Sequence, residues 1–451
     1  MKSLAATLLC LSLLLSRSTF GETITEGENT MRESCMLAAD SMPESPAYPA
    51  LLSDASIDMN DEAAVNAFNA WWDAWQSWQK APTPQREALF AFFQKCMTEL
   101  AAERETRNPG VSPLSLALAL DTLCDLAEGE GVRELTAALG YDSSAPTATG
   151  APLGETLRWD DGETACIPGA SLWLCADAKL DTDKARALAE TRHISVYRCV
   201  KNEELRAWAE AWTKGRYGGQ VLPLGENGGS TILSSLYVSA RWVSPFSALK
   251  SAEGVFHTPE GDVPAVYLHS ECDGVLYLGR CFTACSFSLG EMGEVLFLLP
   301  ENGEDPTSLL AEEETIRFLS TGRDWEKRNY AWIHAAVPKL DMLQCLSAKD
   351  LLRRMELPAI FDQSASHESD ALWLGDLLQL LPLSLDEWGV NAAPLELDGK
   401  DTGMMPSMPI GIQAPSEQVA EFTLNRPFLW AILGRDKLPL YVGIINDPTW
   451  Q

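Results

Sequence analysis

Helix-spaced and strand-spaced apolar residues occupy different parts of this sequence, and that segregation narrows the fold more than any other feature. Between Asp61 and Lys80, the residues Phe68, Trp71, Trp72, Trp75 and Trp78 recur at helical spacing, and Gln85 to Glu105 repeats the pattern with Leu89, Phe92, Phe93, Cys96 and Leu100. The two helices join at Ala81-Pro82-Thr83-Pro84. Ser112-Pro113 opens a third helix as N-cap and first-turn proline, running to about Glu128. A fourth helix spans Val132 to Leu139, and Tyr141 to Pro168 reads as loop. Strand patterns follow at Ala170 to Cys175, Thr231 to Val238, Val275 to Leu289 and Glu294 to Leu299, with helices at Thr182 to Thr191 and Glu203 to Lys214. The last third holds strands at Trp332 to Pro338, Leu374 to Trp388, Phe428 to Leu433 and Leu440 to Ile445, with one helix at Lys349 to Met355. Helices early and strands late predict an α+β fold over alternating βαβ units. No internal repeat is present.

The ends divide the chain further. Met1-Lys2, an apolar run from Leu4 to Leu15 and small residues Thr19 and Gly21 read as a secretory signal over 1–21, too short to span a membrane. Residues 22–60 are polar and without period, a tail or linker, and 61–84 form an extra tryptophan-rich helix before a main domain over 85–451. The aromatic stripe of that helix is expected to pack on its parent domain, the commoner use of such residues than a carbohydrate or membrane platform. Export predicts an extracellular protein, or a periplasmic or cell-surface one in a bacterium. Of the 11 cysteines, Cys10 falls in the apolar run, and the rest are compatible with several disulfides whose pairing the sequence does not assign. With 64 acidic residues against 34 basic ones, the net charge of -30 repels nucleic acid, heparin-like polyanions and anionic lipid, so none is expected as a partner.

Catalytic constellations are absent from the pattern. There is no G-x-S-x-G elbow, no H-E-x-x-H, no G-x-x-x-x-G-K-[ST] and no G-x-G-x-x-G. His269, Cys272, Cys281 and Cys285 resemble a zinc site only loosely, because two ligands four residues apart on one strand lie roughly 13 Å apart. Disulfides or buried thiols are the expected reading. No metal, no cofactor and no enzymatic activity are expected.

Six stretches in register carry a family resemblance. Asn108 to Ser115 (NPGVSPLS), Thr231 to Phe246 with its W-x-x-P-F turn, Gly254 to Val266, Glu294 to Gly303 (EVLFLLPENG), Ala336 to Leu340 (AVPKL), and Phe422 to Pro448 with FTLNRPFLW and YVGIIN resemble the serpins from about Gln85 to Pro448. The resemblance implies three β-sheets with about eight or nine helices and an exposed reactive-centre loop, here about 389–420. It implies a monomeric suicide substrate for a serine or cysteine endopeptidase, whose cleaved loop enters the main sheet as a new strand. It places the hinge at Glu387, Gly389, Val390, Ala392, Ala393, Pro394 and Glu396, and the sheet-opening region at Ser112, Ser115, Ser234, Gln379 and Trp242. Ser234 and Gln379 stand where the family usually has Asn and His bonded to each other.

Counting from Gly389 puts the reactive bond at Gly403-Met404, whereas counting back from Arg426-Pro427-Phe428 puts it near Ser416, so the loop is longer than usual. Lys400 would attract a trypsin-like protease, and Met404, Met405 or Met408 a chymotrypsin- or elastase-like one. The inward set on insertion is Val390, Ala392, Pro394 and Glu396. Pro394 brings no N–H to a ladder and Glu396 would bury a carboxylate, while Pro382 interrupts the strand before the loop. Two readings therefore stay open: an inhibitor, or a non-inhibitory protein of this fold acting as binding module or sacrificial substrate.

Overall fold

The computed structural model describes residues 35–40, 61–78, 83–103, 107–141, 157–160, 164–219, 222, 228–321, 325–363, 372–392 and 418–449. The reading of 1–21 as a signal falls outside them. So do Ala393, Pro394, Glu396, Lys400, Gly403, Met404, Met405, Met408 and Ser416. Among the described residues no helix is long and apolar enough to cross a membrane.

The described residues form seventeen strands: β1 (Met36–Ala38), β2 (Gly110–Val111), β3 (Trp159–Asp160), β4 (Ala165–Trp173), β5 (Ile194–Tyr197), β6 (Ser230–Arg241), β7 (Ala252–Thr258), β8 (Gly261–Leu278), β9 (Phe282–Ser288), β10 (Gly293–Pro300), β11 (Arg328–Pro338), β12 (Leu340–Ser347), β13 (Leu374–Leu385), β14 (Gly389–Val390), β15 (Val419–Thr423), β16 (Phe428–Gly434) and β17 (Pro439–Ile445). The helices are α1 (Glu62–Trp78), α2 (Thr83–Leu100), α3 (Pro113–Leu123), α4 (Gly129–Ala138), α5 (Thr182–Arg192), α6 (Asn202–Trp212), α7 (Glu313–Thr321) and α8 (Lys349–Arg354). The main sheet runs β1-β5-β4-β6-β14-β13-β12. A second hydrogen-bonded network is two sheets sharing one strand. The 18-residue β8 pairs with β7 and β11 along most of its length but with β9 only at Leu276–Leu278. This gives the expected α+β architecture.

Every residue of β13 is buried and β6 is nearly so, with α3 and α6 packed against β6 and α8 against β13. Hence β13 reads as a near-continuous apolar run and not as alternation. The third helix, α3, is buried along its whole length, with Ser112 as N-cap and Pro113 in its first turn. It ends at Leu123, earlier than its apolar spacing predicts.

Two expectations need correction. Within the stretch read as a tail, Cys35–Asp40 belongs to the body: β1 pairs with β5, and Cys35 is bridged to Cys199. A three-residue strand has too short a period to register in a sequence pattern. The segment Val275 to Leu289 is two strands with a turn at Gly279–Cys281, since the N–H of Gly279 donates to Phe282 O. Of the aromatic stripe of α1, Phe68, Trp71 and Trp72 are half-buried and lie against one another with centroids 5.8–6.1 Å apart.

Candidate functional site

The two central strands of the main sheet are parallel neighbours, and they are joined over only part of their length. Leu374 to Leu380 of β13 pair with Ser230 to Ser235 of β6. Above that zipped half, β14 has entered between them, Val390 facing Ala240 on one side and Leu385 on the other, antiparallel to both. An antiparallel strand continued from β14 would complete two ladders where now there is half of one, so this junction is where the sheet can grow.

The hinge is held by a turn that the sequence specifies locally. Asp386 Oδ1 accepts from the N–H groups of Trp388 (2.8 Å) and Gly389 (3.2 Å), reversing the chain out of β13. Trp242 Nε1 donates to Asp386 O at 2.8 Å and its backbone N–H to Trp388 O at 2.9 Å, while Phe246 N–H donates to Glu387 O. Glu387 accepts from Ser251 Oγ and pairs with Lys339 Nζ, each at 2.6 Å. Burial would push its carboxyl up; the Lys339 ammonium and Ser251 hydroxyl outweigh that and leave it below the usual carboxylate range. Gly389 is required, because a Cβ there would stand 2.0 Å from Ala240 O. Val390 is fully buried, and Ala392 is half-buried.

Under the zipped half, the fold gathers four of the five sequence-predicted sheet-opening residues. Gln379 Nε2 donates to Ser112 O and Ser115 Oγ, both at 3.0 Å, and its Oε1 accepts from Ser112 N–H at 3.2 Å. Ser234 Oγ donates to Ser115 O at 3.1 Å. Ser234 and Gln379 face each other in the β6–β13 register, their side chains are linked through Ser115, and all four side chains are buried. Trp242 is not with them: it packs at the hinge against Phe246 and Phe287. A glutamine amide supplies both donor and acceptor without titrating, which a histidine in its place would do near neutral pH.

Sequence reasoning missed Asn391. Its φ of 47° is left-handed, a conformation asparagine tolerates better than most residues, and its side chain is buried between the parted strands. Pro382 is explained by the same gap. Ser384 directs its carbonyl at Asn391 N–H, so Pro382, two residues back, also faces the opening, where its missing N–H breaks no existing ladder bond.

Among the described residues no three His, Cys, Asp or Glu side chains converge, and burial pushes the Cys285 thiol up to about 12.

The family model for Serpin (serine protease inhibitor) matches residues 87–448. The chain belongs to the serpin family. This serpin is 23% identical over 393 residues to Alpha-1-antitrypsin-like protein GS55-MS of Ictidomys tridecemlineatus, covering 82% of this chain and 91% of that one. It is 24% identical over 392 residues to Thyroxine-binding globulin of Sus scrofa, covering 80% and 89%. Among solved structures, human thyroxine-binding globulin complexed with its hormone superposes with TM-score 0.68 at 17% identity, over 81% of this chain and 99% of that one. The thermophilic serpin Tengpin in its native state gives 0.65 at 16%, over 80% and 94%. These solved relatives share the serpin fold. Protease inhibitors and binding globulins both occur among the similar proteins, and members of the family are generally protease inhibitors rather than catalysts.

Proposed function

We propose that this serpin is a secreted suicide-substrate inhibitor of a serine or cysteine endopeptidase, working through residues 393–417. The observation that carries the reading is the half-zipped pair β6 and β13 with β14 already seated at its open end. A protease nucleophile attacks the carbonyl of Gly403 in the Gly403-Met404 bond, or of an alternative at Lys400, Met405, Met408 or Ser416. The new amine leaves with a proton from the protease, and the acylated loop follows β14 into the sheet. Such a protein needs no catalytic group of its own, and the Cys35–Cys199 bridge suits an oxidising compartment.

Incubation with trypsin, chymotrypsin, elastase and subtilisin tests this on denaturing gels. A covalent complex that survives boiling is the expected result; complete cleavage with the protease left active refutes it. A second reading, a sacrificial substrate or binding protein, is favoured by one observation. Pro382 faces the gap without an N–H, so an inserted strand would leave the carbonyl of Ala393 unpaired at that rung. Thermal melting before and after loop cleavage separates the two, since insertion raises the midpoint and simple cleavage does not.

A further inference from the structure

We infer that Asn391 is a latch: its side-chain amide stands in for the next peptide groups of the incoming strand and so arrests insertion at Val390. The backbone N–H of Asn391 donates to Ser384 O at 2.8 Å, the last rung β14 makes on the β13 side. In a continuing antiparallel ladder, Ser384 N–H would donate back to the Asn391 carbonyl. Here the left-handed turn at Asn391 points that carbonyl away, where Tyr237 Oη (3.3 Å) and Ser239 Oγ (3.2 Å) donate to it. Ser384 N–H donates instead to Asn391 Oδ1 at 2.8 Å.

The amide nitrogen completes the imitation. Nδ2 donates to Val238 O at 2.8 Å and to Pro382 O at 3.2 Å. By the register Val390–Ala240 and Val390–Leu385, those two carbonyls are the ones that the N–H groups of Ala392 and Ala393 would reach in an extended strand. One side chain therefore satisfies an N–H on β13 and a carbonyl on each flanking strand, three groups that would otherwise be buried without partners. Insertion must break all three contacts and turn Asn391 from φ 47° to extended before any new rung forms. The contacts exist only in the uninserted state, so the side chain raises the barrier to insertion without supporting its product.

This rests on the reading that the gap receives a strand, and the experiment reads the two separately. The probe is a fluorescein-labelled peptide copying residues 392–401 with Pro394→Ala, mixed with intact protein, its uptake followed by native gel and fluorescence anisotropy. Asn391→Ala should take up the peptide on the order of ten- to a hundred-fold faster than wild type, the effect of losing three net hydrogen bonds. Should Asn391→Ala fail to fold, Tyr237→Phe with Ser239→Ala frees the turned-away carbonyl while leaving Asn391 in place, and should accelerate uptake by a smaller factor. Uptake by wild type and both variants at equal rates overturns the latch and leaves insertion standing. Uptake by none of them, together with no rise in melting temperature after cleavage within 393–417, overturns insertion itself.

Discussion

Replacing Asp40 with asparagine should destabilise the folded protein by about 3–5 kcal/mol, because it removes the carboxylate that both terminal nitrogens of the buried Arg158 guanidinium contact. Arg158 and Asp40 have side chains that are 0% exposed, joined by contacts of 3.2 Å and 2.5 Å from the two terminal nitrogens to the two carboxylate oxygens. His193 Nδ1 lies 3.3 Å from the same carboxylate, and the N–H of Asp40 donates to Ser195 Oγ. The acid comes from the short edge strand that Cys35–Cys199 ties to the sheet. Urea unfolding followed by tryptophan fluorescence reads the loss. Asp40→Asn combined with Arg158→Met should recover most of it, since a buried pair replaced by apolar groups is often neutral. Reduction of the bridge, which spans 164 residues, should by itself cost up to about 5 kcal/mol in the chain-entropy account. In the reduced protein Asp40→Asn should cost less than in the oxidised one, because both changes release the same strand. A single variant within about 1 kcal/mol of wild type, or a double variant no better than the single, would refute the reasoning.

Other expectations follow from the hinge and from the cluster beneath it. The lowered carboxyl of Glu387 contributes stability that is fully present above the ordinary carboxylate range and is lost as pH falls through its folded value. Proteolytic nicking next to Val390 should therefore rise on acidification, and Glu387→Gln should flatten that dependence; an unchanged pH profile in the variant rules the ion pair out as its source. Gly389→Ala drives a Cβ into the Ala240 carbonyl and should cost about 1–3 kcal/mol in urea unfolding while expelling β14; wild-type stability would mean the hinge is seated less tightly than its register indicates. Gln379→Leu leaves the Ser112 N–H without its acceptor and takes one donor from the Ser112 carbonyl, which keeps Leu116 N–H, and should cost about 1–3 kcal/mol, a loss that Gln379→His should partly recover and that the same unfolding curves would show. Pro382→Ala restores an N–H facing the gap and should enlarge the rise in melting temperature after loop cleavage; a rise no larger than in wild type would mean that rung is not used.

The element types of this protein were legible wherever the period was long enough to repeat. The burial of α3 and β13, the cap at Ser112 and the family register all follow from local spacing, and they bring Ser112, Ser115, Ser234 and Gln379 to one place. The strand β1 was invisible because three residues hold no period, and its meaning lies in partners more than a hundred positions away, Arg158 and Cys199. Pro382 looked like a flaw in a central strand and proved to face the unzipped stretch between β13 and β6, a property of which strand lies beside it and not of the residue. Asn391 shows the division most sharply. The sequence by itself determined that a small amide capable of a left-handed turn follows Gly389-Val390, since local sterics decide that much. That its side chain bonds to Pro382, Ser384 and Val238 was decided only by the tertiary structure, which parts two parallel strands around it and leaves their inward-facing polar groups for one amide to satisfy.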